Sequence, residues 1–269
     1  MLIAALGSSF AAGPTLQPVA DRAAMRSARN YPSLLAESLG ASLVDLSVSG
    51  ATVATILDVP QVIAPRVQFP PQIDGLPADA DLVTITTGGN DIGFIGSMLF
   101  TGWHHLDPGG ALAKQMRALV SEAGGTTHEH RDDGIPVPTP ALVETVAAGL
   151  ARIVAAARSR ASRARVLLVD YLTVLDDDSR SALIPYTTGE LAAFRSLQGS
   201  LVRACVLAAE RSGAELVAMS ALSWSHGVGS TEPWVFDFID EPLRTAGSFH
   251  PNDVGMRAVA DALARRLVR

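Results

Sequence analysis

Leu2-Ile3-Ala4-Ala5-Leu6-Gly7-Ser8-Ser9-Phe10-Ala11-Ala12-Gly13 is the stretch on which the fold turns. An apolar run ends in a glycine and two hydroxyl residues, and small residues follow. A strand that stops at Gly7-Ser8 and turns into a helix places the Ser9 oxygen at the carboxyl edge of a sheet. The N–H groups that open the helix then face whatever that oxygen meets. Taken alone, the same pattern suits an ordinary helix cap or turn, where Ser and Gly are favoured for local reasons.

The rest of the chain repeats the alternation that this stretch begins. Short runs rich in Val, Ile and Leu occur at Leu2–Leu6, Ser42–Val48, Leu82–Thr87, Arg165–Tyr171 and Glu215–Ser220. Each is nearly continuous in apolar character, as strands covered on both faces are. Helical patterns lie around Tyr31–Leu39, Ala111–Ala123, Pro140–Arg163, Thr188–Ser212 and Pro251–Leu267. In the third, Leu142, Val146, Leu150, Ile153 and Val154 recur at three-to-four spacing, and arginines gather toward its end, where the helix dipole favours them. Alternation of this kind predicts a parallel sheet with helices on both faces. From about residue 92 to 140 it breaks into Gly, His, Pro and Asp residues, which reads as an insertion with one internal helix, a lid or pocket wall. It is too short and too polar for a second domain, so one domain is expected over residues 1–269.

Composition narrows the function. A chain of 269 residues buries roughly three quarters of its unfolded surface and needs neither disulfides nor metal to hold a core. Its one cysteine, Cys205, sits in an apolar helical run and reads as a small core residue. The formal charge of −6 argues against nucleic acid or an anionic membrane surface as partner. No uninterrupted apolar run reaches the ~18 residues of a membrane span. No basic region, apolar stretch and cleavage site precede the first strand, so the expected location is the cytoplasm, or else a signal has been lost.

Four places put small or polar residues at strand ends or at a helix start. They are Gly7-Ser8-Ser9, the run Ser47-Val48-Ser49-Gly50-Ala51-Thr52, the run Thr86-Thr87-Gly88-Gly89-Asn90-Asp91, and Ser248-Phe249-His250-Pro251-Asn252. Each has a plain reading alone: Gly50 as a tight turn, Asn90 as a left-handed turn residue, His250 as a partly buried structural histidine. Together they supply a serine, a histidine and extra hydrogen-bond donors, which is the set that acyl transfer requires.

Ser9, Gly50, Asn90 and His250, in this order and context, resemble the SGNH hydrolases, also called GDSL esterases and lipases. The likeness runs along nearly the whole chain. Gly88-Gly89-Asn90-Asp91 and His250-Pro251-Asn252 are its most specific parts, and Tyr31-Pro32 and His226-Gly227-Val228 resemble the actinobacterial lipase-like branch. The resemblance implies a flavodoxin-like three-layer α/β/α sandwich with a five-stranded parallel sheet in the order 2-1-3-4-5. It implies Ser9 as nucleophile and His250 as general base and then acid. The backbone N–H groups of Ser9 and Gly50, with the Asn90 amide, would form the oxyanion hole. No cofactor or metal is implied.

Two positions depart from the family pattern. Ser8 stands where Asp is usual. The triad acid, usually three residues before the histidine, is replaced by Gly247, which has no side chain to orient the imidazole. The expected substitute is the Gly247 backbone carbonyl, giving a Ser–His dyad; Asp240, Glu241 or Asp237 swinging in, or an inactive site, are the alternatives. His104, His105, His128 and His130, with Asp107, Asp132 and Asp133 nearby, read as solvated loop residues rather than metal ligands.

Apolar runs follow Asn90 and precede His250. Phe94, Met98, Trp103, Trp234 and Phe236 are therefore expected to line an acyl pocket. The expected substrate is a small-molecule ester with a short- to medium-chain acyl or aryl group. A carbohydrate deacetylase or lysophospholipase using the same residues, or a weakly catalytic binding protein on this fold, are the competing readings.

Overall fold

In the computed structural model, residues 1–124, 129–184 and 186–267 are described. Five strands form one parallel sheet: β1 (Leu2–Gly7), β4 (Ser42–Asp45), β7 (Leu82–Thr86), β8 (Arg165–Val169) and β9 (Glu215–Val217). Their order is β4-β1-β7-β8-β9, which in chain order is the expected 2-1-3-4-5. Residues 3–7 of β1 and all five of β7 are buried, because helices cover both faces. The predicted strands end sooner than expected: residues 46–48 and 170–171 are loop, and Ser220 belongs to a short helix, α8 (Met219–Leu222).

Two antiparallel ribbons were not expected, β2 (Val19–Asp21) with β3 (Arg26–Ser27) and β5 (Gln61–Ala64) with β6 (Val67–Phe69). Both are short and largely exposed, so neither carries an apolar signature.

On one face of the sheet, α2 (Tyr31–Leu39) packs on α9 (Asp253–Leu267). On the other, α6 (Pro140–Arg160) packs on α7 (Thr188–Ser212), with α3 (Val53–Leu57) against α6. The starts of these helices are written in side chains. Asn30 accepts from Ser33 N–H before α2, Thr139 from Leu142 N–H before α6, and Thr187 and Glu190 form a reciprocal capping box on α7. Both α6 and α7 are long and apolar enough to cross a bilayer, with mean hydropathy 1.5 and 1.2. Here 44% of each apolar window is buried against the rest of the chain.

Among its described residues, the segment from 92 to 140 holds two helices rather than one: α4 (Phe94–Leu106) and α5 (Ala111–Gly124), packed on each other. α4 begins from Gly93 in the left-handed region, at φ 69°. Gly102 lets it come close to the chain that leads to the predicted histidine, because a Cβ there would lie 2.7 Å from the Phe238 ring. Trp103 Nε1–H then donates to Thr245 Oγ1 at 2.9 Å in a buried bond.

Strand β1 has one neighbour that follows it closely in sequence, β4, and one on its other side, β7. Connections therefore leave its carboxyl end in opposite directions. That switch point is where open α/β sheets bind ligands.

Candidate active site

The short helix α1 (Ser9–Ala12) starts directly after β1 and is wholly buried. Two side-chain bonds and two backbone bonds fix its entry. Gln72 grips both backbone groups of Gly7, with Oε1 accepting at 2.8 Å and Nε2 donating at 2.9 Å. Ser8 N–H donates to Thr86 O at 2.9 Å, and Val48 N–H donates to Gly7 O at 3.1 Å. Ser9 thus sits where three strand-end loops are tied together.

Ser9 Oγ lies 2.7 Å from His250 Nε2, across 241 residues of sequence. His250 Nδ1 lies 2.9 Å from the Ser248 carbonyl oxygen. A carbonyl only accepts, so Nδ1 carries the proton there and Nε2 presents its lone pair to the Ser9 hydroxyl. The acceptor is therefore Ser248, not Gly247. The Gly247 carbonyl is occupied by the His250 backbone N–H at 3.1 Å. Between them, Phe249 adopts φ 63°, and this left-handed turn brings the Ser248 carbonyl to the ring.

None of the upstream carboxylates bonds to the imidazole. Asp237 accepts from the N–H groups of Ala182 and Phe238, Glu241 pairs with Arg244, and Asp240 is exposed. His250 is buried, and burial lowers its pKa to about 4 against the opposing pull of the Ser248 carbonyl.

Gly50 lies at φ 84°, a conformation that costs a side-chain-bearing residue strain. Gln61, on the β5–β6 ribbon, holds this loop by donating to Ser49 O at 2.8 Å. Asn90 and Asp91 tie the β7 loop to it. Asn90 Nδ2–H donates to Ala51 O at 2.8 Å, and the Asp91 carboxylate accepts from Val53 N–H at 3.0 Å. Burial pushes Asp91 up to about 6. Among the described residues, the backbone N–H groups of Ser9 and Gly50 and the second Asn90 amide hydrogen have no acceptor. Unbonded donors at a cavity wall are what a developing oxyanion requires.

Tyr171 was not singled out from the sequence, although a polar aromatic at the carboxyl end of a predicted strand is a usable signal. Its hydroxyl lies 3.0 Å from Ser8 Oγ and accepts from Gly89 N–H at 3.0 Å. Ser8, at the departure from the family's Asp, thus joins the first strand-end loop to the third. Tyr171→Phe strands a buried N–H and a buried hydroxyl. The expected loss is about 1–3 kcal/mol of unfolding free energy, read from urea denaturation.

Ser9, Asn90 and His250 open onto a cavity of about 280 Å³. Its apolar wall comes from Ile95, Leu99, Met116 and Met25, with Gly93 and Gly96 leaving room. None of the five expected pocket residues lines it. Phe94 and Met98 are fully buried on the opposite side of α4, since helical periodicity turns residues 95, 96 and 99 to the cavity instead. Trp103 is taken up by Thr245, Trp234 stacks on His226 at 4.0 Å between centroids, and Phe236 packs on the core.

The other histidines lie away from this site, and His104 and His105 fall on α4 rather than in the solvated loop expected for them. His104 stacks on Phe100 and His105 bonds to Glu190, while His128 falls outside the described residues. Among the described residues, no three His, Cys, Asp or Glu side chains come together as a metal site.

The GDSL-like lipase/acylhydrolase family model matches residues 5–258. The chain is 32% identical over 273 residues to Lipase 2 of Streptomyces coelicolor, spanning 96% of this chain and 82% of that protein. Its fold is similar to two solved structures. One is the extracellular lipase of Streptomyces rimosus, with TM-score 0.72 and 22% identity over 98% of this chain and 99% of that one. The other is phospholipase A1 of Streptomyces albidoflavus NA297, with TM-score 0.72 and 20% identity over 98% of each chain. The match of the family model along almost the whole chain, with the Streptomyces coelicolor relative, makes this protein a member of the GDSL-like lipase/acylhydrolase family and a carboxylic ester hydrolase.

Proposed function

We propose that Ser9 attacks the ester carbonyl as His250 takes its proton, that the C–O bond to the alcohol then breaks as His250 passes that proton to the departing alcohol oxygen, and that water hydrolyses the acyl-enzyme left on Ser9. The single observation that carries this reading is the 2.7 Å contact between Ser9 Oγ and His250 Nε2, with Nδ1 held by a carbonyl. The N–H groups of Ser9 and Gly50 and the Asn90 amide take the oxyanion. In the second half-reaction His250 takes a proton from water and returns it to Ser9 as the acid is released. A carbonyl dipole stabilises imidazolium less than a carboxylate does, so modest turnover is expected.

The substrate assigned to this site is an ester with a short- to medium-chain acyl or aryl group. The cavity falls just below the usual range for drug-sized ligands, about 300–1,000 Å³, and its wall is mostly apolar. That favours an apolar acyl group over a sugar acetate. The test is a series of nitrophenyl esters of increasing acyl length, with fluorophosphonate labelling mapped by peptide mass. Label on Ser9 and a rate maximum at short or medium chains are expected. Label elsewhere, or hydrolysis confined to sugar acetates, overturns the assignment.

The histidine also sets the pH response. Neutral imidazole is the active form, and with its pKa near 4 it stays neutral through mildly acid solution. kcat/KM is therefore expected to hold as pH falls to about 5 and to drop with an acid limb near 4. Stability follows the same sign. Unfolded imidazole takes up its proton near pH 6.5, so this contribution is complete above that value and is lost as pH falls toward 4.

A further inference from the structure

The catalytic cavity does not close at Met25 and Ala246. Both residues also line a second cavity of about 530 Å³ beside the β2–β3 ribbon. The chemistry changes across them. Apart from His250, no titratable residue among the described residues lines the first cavity. The second is lined by Arg22, Arg26 and Arg244, and by no carboxylate among the described residues. In a chain of net charge −6, this wall runs against the overall sign.

The three arginines are not equivalent. Arg26 is committed to the fold: it donates to Ser47 O at 2.8 Å and pairs with Asp21 at 3.4 Å. Among the described residues, the Arg22 guanidinium has no hydrogen-bond or ion-pair partner. Arg244 touches Glu241 at 3.2 Å, with both side chains more than half exposed. An exposed pair of this kind contributes little, and the rest of the Arg244 fork remains available.

An ester has two halves, joined at the carbon that the nucleophile attacks. With that carbon at Ser9, the apolar wall of Ile95, Leu99 and Met116 takes the acyl half. The alcohol half then passes Met25 and Ala246 into the second cavity. We propose that this cavity is the leaving-group subsite and that Arg22 and Arg244 select alcohols bearing a phosphate or carboxylate. The inference rests on the nucleophile assignment above. The reaction is unchanged by it: water and ester give the acid and the anionic alcohol, whose oxygen receives the proton held by His250.

The test uses the full chain and two matched pairs of octanoyl esters. One pair is octanoylglycerol and octanoylglycerol phosphate; the other is the nitrophenyl ester and its ring-carboxylated counterpart. The wild type is expected to prefer the anionic member of at least one pair in kcat/KM. Arg22→Gln and Arg244→Gln are each expected to cut that preference about tenfold, mainly through KM, and added salt is expected to weaken it. Loss of preference in one pair alone assigns the subsite to that anion. Equal use of neutral and anionic esters with turnover still dependent on Ser9 overturns the subsite and leaves the nucleophile standing. Turnover that survives Ser9→Ala removes the nucleophile assignment and this inference with it.

Discussion

Alanine at position 9 is expected to lower kcat for nitrophenyl esters by roughly five to six orders of magnitude, to the rate that binding and oxyanion donors sustain alone. On the proposed assignment the Ser9 hydroxyl is the atom that forms the covalent bond. Its hydrogen-bond partner is His250, so removing it leaves the backbone ties of Gly7 and Ser8 intact. The fold should therefore survive, with a melting temperature within a few degrees of wild type, while fluorophosphonate labelling disappears. That combination separates chemistry from collapse. A purified, folded Ser9→Ala protein with more than a hundredth of wild-type activity would falsify the assignment.

The three central strands β1, β7 and β8 were legible because burial on both faces removes polar alternation and leaves dense Val, Ile and Leu runs, while the edge strands β4 and β9 are only half-buried and keep just a short apolar stretch. The ribbons were not, because Val62, Ile63 and Val67 are exposed and each strand is only two to four residues long. Helix α4 was hidden for the opposite reason. Residues 94–103 are nearly all buried, so its apolar face wraps most of the way round, and Gly102 interrupts it where Ile184 and the Phe238 ring come close. An amphipathic period exists only where one face meets solvent.

The site divides in the same way. That Ser9, Gly50, Asn90 and His250 belong together was readable from their resemblance, in order and context, to one family's set, and the structure gathers them at one cavity. The orienting carbonyl of Ser248 was not, since every residue carries a carbonyl and only the turn at Phe249 decides which one reaches the ring. The pocket wall failed by one position on α4: the sequence shows the apolar run but not which third of it faces the cavity. Tyr171 acts through a hydroxyl shared between two loops, and that is a tertiary fact.

Asn90→Ala is expected to lower kcat by about two to three orders of magnitude with little change in KM, the effect of removing one preorganised oxyanion donor. The amide has two hydrogens with different duties. One holds Ala51 O at 2.8 Å, and the other has no acceptor and lies at the cavity wall. Alanine removes both, so part of any loss could come from a loosened Gly50 loop. Asp91→Asn separates the two effects. It replaces the carboxylate, whose two oxygens lie 3.0 and 3.3 Å from Val53 N, by a neutral amide with one acceptor oxygen, and so weakens the loop tie without touching the donor. A small loss in Asp91→Asn beside a large kcat loss in Asn90→Ala places the effect on the oxyanion. Asn90→Asp should be worse than alanine once its carboxyl is ionised, because a carboxylate there faces the developing negative charge. Equal losses in Asn90→Ala and Asp91→Asn, both in KM, would instead mean that the pair only holds the loop, and the oxyanion would then rest on the N–H groups of Ser9 and Gly50 alone.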